Sequence, residues 1–437
     1  MGQLVAQVEA GSAMVPPTGS PADQTTVRRS NLSLVLRYLS TRGPASRAAI
    51  AAETGLNKTT VSSLISELQA RGLVTETGLQ QAGAVGRPGR AISLDGATVG
   101  ALGLEINVDY IATYGLDLTG RTLIDRRVGF DAMGSDVDRS LRQLSQVMGA
   151  ALTDLDSAGL RVMGITVAVP GLVNVETGTV LYAPNLGWRN VPVAQRLADT
   201  APTVPIPVSV DNDANLAALA EFTVGVAAGT PDLVYLTGEV GVGGGVISGG
   251  RLLRGGDGFA GEVGHLPVDP NGDRCGCGRT GCWETKVGLA ALVRMAAPDH
   301  AYGRSDSGPV RVPEERLAEI ERRQAAGDRR VEQALREIAR WLGVGGAILV
   351  NLLNPRVIVL GGYFARFRGQ LIADAQAELD RLVVAGPDAR CLFVASELDF
   401  RAAAHGAAHV AVERVLTDPT MVAMLASEPS QPSWRRR

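Results

Sequence analysis

The sequence predicts a mixed α/β protein in two parts, a small winged helix-turn-helix followed by a larger α/β body. Three observations carry that expectation. Between Arg28 and Arg71, three short runs of apolar residues recur at helical spacing, divided by turn residues and followed by two strand-like pieces. From Val99 onward, apolar strands separated by glycine turns (LGLEI, YIATYGLDL, RVMGITVAV, VPVSV, LVYLTG, GGGVISG, RVIVLGG) alternate with helical stretches. The chain is 437 residues long, well above the ~150 typical of one domain.

In the first part, Leu32, Val35, Leu36 and Leu39 make one helical face, which Gly43-Pro44 ends. Ser46 is a good N-cap for a second short helix reaching Thr54, and Gly55 then breaks the chain. Asn57 caps a third, with Val61, Leu64, Ile65 and Leu68 buried and Arg71-Gly72 at its end. Strands at Leu73 to Glu76 and Ala91 to Leu94 flank a glycine-rich wing containing Gly86-Arg87-Pro88-Gly89-Arg90. The expected boundaries are a flexible tail over 1–23, the winged helix over 24–95, a two-lobed body over 96–417 and a flexible tail over 418–437. Pro298 to Asp328 reads as an exposed helical hairpin or loop, and Cys391 as a core residue.

Composition narrows the class. Hydrophobic residues make up 45% and charged residues 20%, so sizeable cores can form and wholesale disorder is excluded. No apolar run approaches the ~18 residues that span a bilayer, and Met1 to Ser20 lacks a signal-peptide core, so a cytoplasmic protein without membrane partners is expected. The net charge of −3 argues against nucleic acid only when taken whole. From Arg28 to Arg90 there are nine basic and three acidic residues, a local +6 that leaves −9 elsewhere.

The second helix of a helix-turn-helix lies in the major groove, and its N-terminal residues reach base edges. Here those are Lys58, Thr59, Thr60 and Ser63, which lie largely off the apolar face. Arg87 and Arg90 of the wing suit a narrow minor groove. Double-stranded operator DNA is therefore the expected partner; a helical protein-interaction module is the competing reading.

Gly264 to Glu284 reads GHLPVDPNGDRCGCGRTGCWE. Three thiolates and an imidazole, from Cys275, Cys277, Cys282 and His265, would complete a tetrahedral Zn²⁺ shell with no open position, hence a structural metal. Reduced free thiols or a disulfide are the alternatives.

These motifs carry a resemblance. Glu262-Val-Gly-His265, followed by Cys-Gly-Cys-Gly-x-x-Gly-Cys-x-Glu, matches the zinc motif of the ROK family of repressors and sugar kinases. Val169-Pro170-Gly171, Pro184 to Trp188, Asp211 to Asn215 and Val357 to Gly362 match further family segments, so the likeness runs from Leu94 to about Val415. With the winged helix attached, the chain resembles the NagC/XylR type of regulator.

The resemblance implies an actin-like (ribonuclease H-like) two-lobed fold and a sugar pocket of Asn185, Asn212, Asp213, Glu262, His265 and Glu284. Asp213 falls at the position of the kinases' general base, and the aspartates here could otherwise be helix-cap residues. The kinases' first phosphate loop resembles Asp-x-Gly-Gly-Thr, whereas this chain has Glu105-Ile106-Asn107-Val108-Asp109. The second retains Gly241, Gly243, Gly244 and Gly245 but replaces the preceding Gly-Thr with Glu239-Val240. Extra carboxylates there oppose ATP. The expectation is a non-catalytic repressor, at least a homodimer or homotetramer, answering a sugar or sugar phosphate. An active sugar kinase is the alternative.

Overall fold

The computed structural model describes residues 23–79, 90–200, 206–298, 313–385 and 390–425. Two compact units emerge, one formed by residues up to Leu94 together with those from Leu416, the other by Asp95–Val415. Among the described residues no helix is long and apolar enough to cross a membrane.

The first unit begins with α1 (Gln24–Arg42), four residues earlier than the apolar pattern alone predicts, because the Asp23 carboxylate accepts from Thr26 N at 2.7 Å and caps it. Strand β1 (Ala45–Ser46), α2 (Arg47–Thr54) and α3 (Lys58–Ala70) follow, with Ser46 and Asn57 as N-caps. Leu32, Val35, Leu36 and Leu39 are buried with Val61, Leu64, Ile65 and Leu68. Each such side chain contributes about 2 kcal/mol by leaving water. β2 (Val74–Leu79) and β3 (Arg90–Leu94) pair antiparallel, and β1 lies on the other side of β3.

One boundary differs from expectation. Residues 418–425, read as part of a flexible tail, are folded against the winged helix. Arg71 Nη1 donates to the carbonyls of Thr420 (3.3 Å) and Val422 (2.6 Å), and Leu425 N donates to Ala70 O at 2.7 Å. Val422 is fully buried. Val422 is buried while its apolar neighbours Met424 and Leu425 are exposed, so this short run after a proline turn has no period that marks it as folded.

The second unit contains two sheets of the same topology. In the first, β4 (Val99–Ile106), β5 (Tyr110–Asp117) and β6 (Thr122–Gly129) are antiparallel, while β7 (Arg161–Val169) and β11 (Val208–Asn212) extend it in parallel, giving the order β11-β7-β4-β5-β6. α4 (Val137–Ser157) packs on it, and a small sheet of β8 (Leu172–Asn174), β9 (Thr179–Ala183) and β10 (Trp188–Val191) is followed by α5 (Val193–Ala198).

After α6 (Asp213–Thr223) the second sheet repeats the plan. β12 (Leu233–Gly238), β13 (Val242–Ser248) and β14 (Arg251–Leu252) are antiparallel, and β15 (Val357–Gly362) and β16 (Leu392–Ala395) are parallel to β12. α7 (Glu284–Val287), α8 (Leu289–Ala296), α9 (Pro313–Ala325), α10 (Arg329–Leu353), α11 (Tyr363–Arg366) and α12 (Arg368–Leu382) accompany this sheet. α9 falls where an exposed hairpin was expected, yet it buries Leu317 and Ile320 in the core. Cys391 is buried, as expected. α13 (Ala402–Thr417) crosses α6 so closely that a Cβ on Gly406 would lie 1.8 Å from Leu216 O.

Candidate functional site

A cleft of about 460 Å³ opens where β11 and β12 end. Such carboxyl ends of parallel strands are the usual place for ligands in α/β sheets. Asn185, Asn212, Asp213, Glu262, His265 and Glu284 all line it, brought together from separate loops. Asn212 ends β11 and caps α6, its Oδ1 accepting from Asn215 N (3.0 Å) and its Nδ2 donating to Gly171 O (3.0 Å). Half of that amide is thus committed internally. The cap is Asn212, which leaves the neighbouring Asp213 carboxylate lining the cleft, where it accepts from Ala214 N at 2.8 Å. Burial, with Glu262 adding like charge, pushes Asp213 up to about 6.

Asp211 has a different role. Arg254 grips it bidentately at 2.6 and 3.1 Å, so its charge is neutralised inside the wall. Arg254 lies 43 residues away, beyond any local pattern. Burial likewise raises Glu262. Glu284 accepts from Val242 N at 3.1 Å, and it fits there because residue 241 is glycine: a Cβ would lie 2.4 Å from Glu284 Oε2.

The metal-type side chains converge at the rim of this cleft. Ligand atoms of His265, Cys275, Cys277 and Cys282 all lie within 4.8 Å of one another. Cys275 Sγ is 3.7 Å from His265 Nδ1, and Cys277 Sγ is 3.7 Å from Cys282 Sγ. A tetrahedron with Zn–S bonds of ~2.3 Å has edges of ~3.8 Å, so the spacing fits one ion. None of the four cysteines forms a disulfide. With Nδ1 turned to the thiolates, His265 Nε2 is 4.0 Å from Glu262 Oε2.

Beyond Asp213, the two stretches resembling phosphate loops meet directly. Asn107 Nδ2 donates to Glu239 Oε2 at 2.7 Å and lies 3.2 Å from Glu105 Oε1, and the Tyr110 hydroxyl donates to Glu105 Oε1 at 2.6 Å. Burial pushes Glu105 up to about 7, with Asp213 adding like charge, and raises Glu239 well above the ordinary carboxylate range, with Glu105 and then Asp213 adding like charge. Glu105 Oε2 is buried without a hydrogen-bond partner. The sequence pointed to the carboxylates, but not to Asn107 and Tyr110 as the donors that hold them.

In the first unit, Lys58, Thr59 and Ser63 are exposed at the start of α3 and Thr60 is half-buried. Arg28 Nη2 reaches Ser63 Oγ at 3.3 Å while pairing with Glu67 at 2.6 Å. Arg90 is exposed, and Glu76 holds both it (2.9 Å) and Arg47 (2.8 Å). DNA phosphates would have to replace that carboxylate. Arg87 lies outside the described residues.

Residues 101–414 match the ROK family, and residues 33–83 match the MarR family. A xylose repressor from Caldicellulosiruptor bescii is 32% identical over 359 residues, covering 82% of this chain and 88% of its own. Among solved structures, a ROK family transcriptional regulator homologous to the Escherichia coli MLC protein superposes with a TM-score of 0.74 at 26% identity, covering 90% of this chain and 98% of the other. A ROK family glucokinase from Streptomyces griseus, in complex with glucose and AMPPNP, gives 0.60 at 30% identity over 72% of this chain and 99% of its own. With its two-sheet body and His/Cys cluster matched across more than two-thirds of its length, the chain belongs to the ROK family.

Proposed function

We propose that this protein is a sugar-responsive, DNA-binding transcriptional repressor of carbohydrate metabolism genes, and that its ROK domain binds a sugar without phosphorylating it. The observation that carries this reading is the combination of a winged helix with a cleft rich in hydroxyl-binding groups, beside which Asn107 donates to Glu239 between the two stretches that resemble phosphate loops. The xylose repressor relative, matched over 82% of this chain, and the ROK family transcriptional regulator structure, matched over 90% of it, support the reading.

In this reading Asn185, Asn212, Asp213, Glu262, His265 and Glu284 bind the sugar hydroxyls, carboxylates accepting and amides doing both. His265, Cys275, Cys277 and Cys282 hold a structural zinc, whose work is to fix the loop that presents Glu262, His265 and Glu284. Lys58, Thr59, Thr60 and Ser63 face base edges, with Arg87 and Arg90 beside the groove. Symmetric half-sites call for a homodimer or homotetramer. Sugar would act by linkage, shifting the population of dimer geometries away from the one that spans two successive major grooves.

The second reading, an active kinase, is favoured by Asp213, whose position and raised pKa suit a general base. A coupled assay with ATP and a panel of pentoses and hexoses separates them. The repressor reading expects no turnover; ATP-dependent turnover that Asp213→Asn abolishes would establish the kinase.

A further inference from the structure

We infer that the effector is an uncharged, unphosphorylated sugar, and that Glu105 and Glu239 are the residues that reject its phosphate ester. The inference rests on the sugar reading of the cleft. In that reading the hydroxyl at Asp213 is the one a kinase would phosphorylate, so a phosphoryl group on it would project past Asp213. The space there is a small cavity lined by Asp213, Glu105, Glu239, Thr237 and Tyr235. Its free volume is about 10 Å³, room for a single water, so a phosphoryl group beside Asp213 has to stay on the cleft side, where Glu239 also forms part of the wall.

A phosphate also needs unoccupied N–H donors. Four backbone N–H groups of the two loops and of the start of α6 are already committed within the protein. Asn107 N donates to Tyr110 O (2.9 Å), Val108 N to Asn107 Oδ1 (2.7 Å), Glu239 N to Gly241 O (2.9 Å) and Ala214 N to Asp213 Oδ1 (2.8 Å). Facing the cavity instead is Glu105, whose Oε2 has no partner. A phosphate dianion would meet carboxyl oxygens where it requires donors.

The wider cleft has the same sign. Five carboxyl groups line it (Asp211, Asp213, Glu239, Glu262 and Glu284), and Arg279 is the one arginine or lysine among its lining residues. Arg279 is exposed on the loop that carries the cysteines and does not line the small cavity, and Arg254 is committed to Asp211. Arg127, whose charge is felt by Glu105, pairs with Glu314 through Nη2, lies 5.2 Å over the Tyr110 ring and lines neither the cleft nor the small cavity. Selectivity here comes from built-in repulsion, while the neutral hydroxyls of a free sugar find acceptors in abundance.

Calorimetric titration of the purified full-length protein at pH 7.5 tests this, with D-xylose, D-glucose and further pentoses and hexoses beside their 5- or 6-phosphates. The expected result is that a free sugar binds and its phosphate binds at least about 100-fold more weakly. A phosphate that binds as tightly as its parent sugar, or more tightly, overturns the inference and leaves the sugar-effector reading standing. Failure of every free sugar and every phosphate to bind overturns both together. The residues are tested by Glu239→Gln and, separately, Glu105→Gln, each checked for a native melting transition. Either should narrow the discrimination about tenfold while the parent sugar binds within about threefold of wild type. An unchanged ratio in both folded variants would remove Glu105 and Glu239 from the mechanism.

Discussion

Asn107 is one residue on which two loops depend. Its amide reaches Glu239 across 132 positions of sequence, while its own Oδ1 accepts from Val108 N at 2.7 Å. Beside it, burial pushes Glu105 up to about 7, with Asp213 adding like charge. The sign of the resulting pH dependence follows from the raised value. The neutral Glu105 carboxyl contributes stability that is fully present below the ordinary value of 4.5 and is lost as pH rises through about 7. Glu105→Gln keeps a neutral group at every pH. The variant should therefore melt within a degree or so of wild type at pH 5 and higher by about 3 °C at pH 8. His405 and His409, which burial lowers to about 4, tilt stability the opposite way in both proteins and cancel in the difference. A difference between the two melting curves that stays constant from pH 5 to pH 8 would refute the assignment. What was legible at this scale was residue identity: Glu105, Asp109 and Glu239 stand out in the sequence as misplaced anions. Their donors were not legible, because Tyr110 and Asn107 look like ordinary strand and turn residues until the two sheets bring them together.

Elements were read well where they have a period and poorly where they do not. The three helices of the winged unit follow from Leu32/Val35/Leu36/Leu39 and Val61/Leu64/Ile65/Leu68, and their caps from Ser46 and Asn57. The folded segment after Thr417 has no such pattern, and its attachment rests on Val422 and the Arg71 guanidinium. Val422→Asp should bury an unpaired charge and loosen the winged unit, costing about 2–4 kcal/mol and raising hydrogen exchange in α1 and α3. Exchange rates there equal to wild type would show the contact to be incidental. The proposed zinc makes a separate prediction, because four ligands from one stretch would couple the fold of that loop to the ion. Freshly purified protein should carry about one equivalent of zinc. Removing it with a strong chelator should abolish sugar binding and lower the melting temperature, and zinc but not magnesium should restore both. Full sugar binding by metal-free protein would contradict this account of the loop.

At the scale of the whole molecule, the repeated topology of the two five-stranded sheets was hidden from the sequence, since register and strand order leave no short-period trace. The division of charge was visible. Of the basic residues in the winged unit, Arg28 and Arg71 share Glu67, Arg47 and Arg90 share Glu76, and Arg29 lies 3.7 Å from Asp418, so four arginines meet only two glutamates and a positive excess remains. Binding that relies on such cations weakens steeply with salt. The central claim is that sugar in the cleft and DNA on the winged helix are linked, with a coupling of about 2.7 kcal/mol for a 100-fold effect. The direct measurement is fluorescence anisotropy of a labelled operator fragment, selected by the protein from genomic DNA and titrated with and without saturating free sugar. The account expects the operator Kd to rise about 100-fold when sugar is bound. An operator Kd that does not move, under conditions where calorimetry shows the cleft filled, would contradict it.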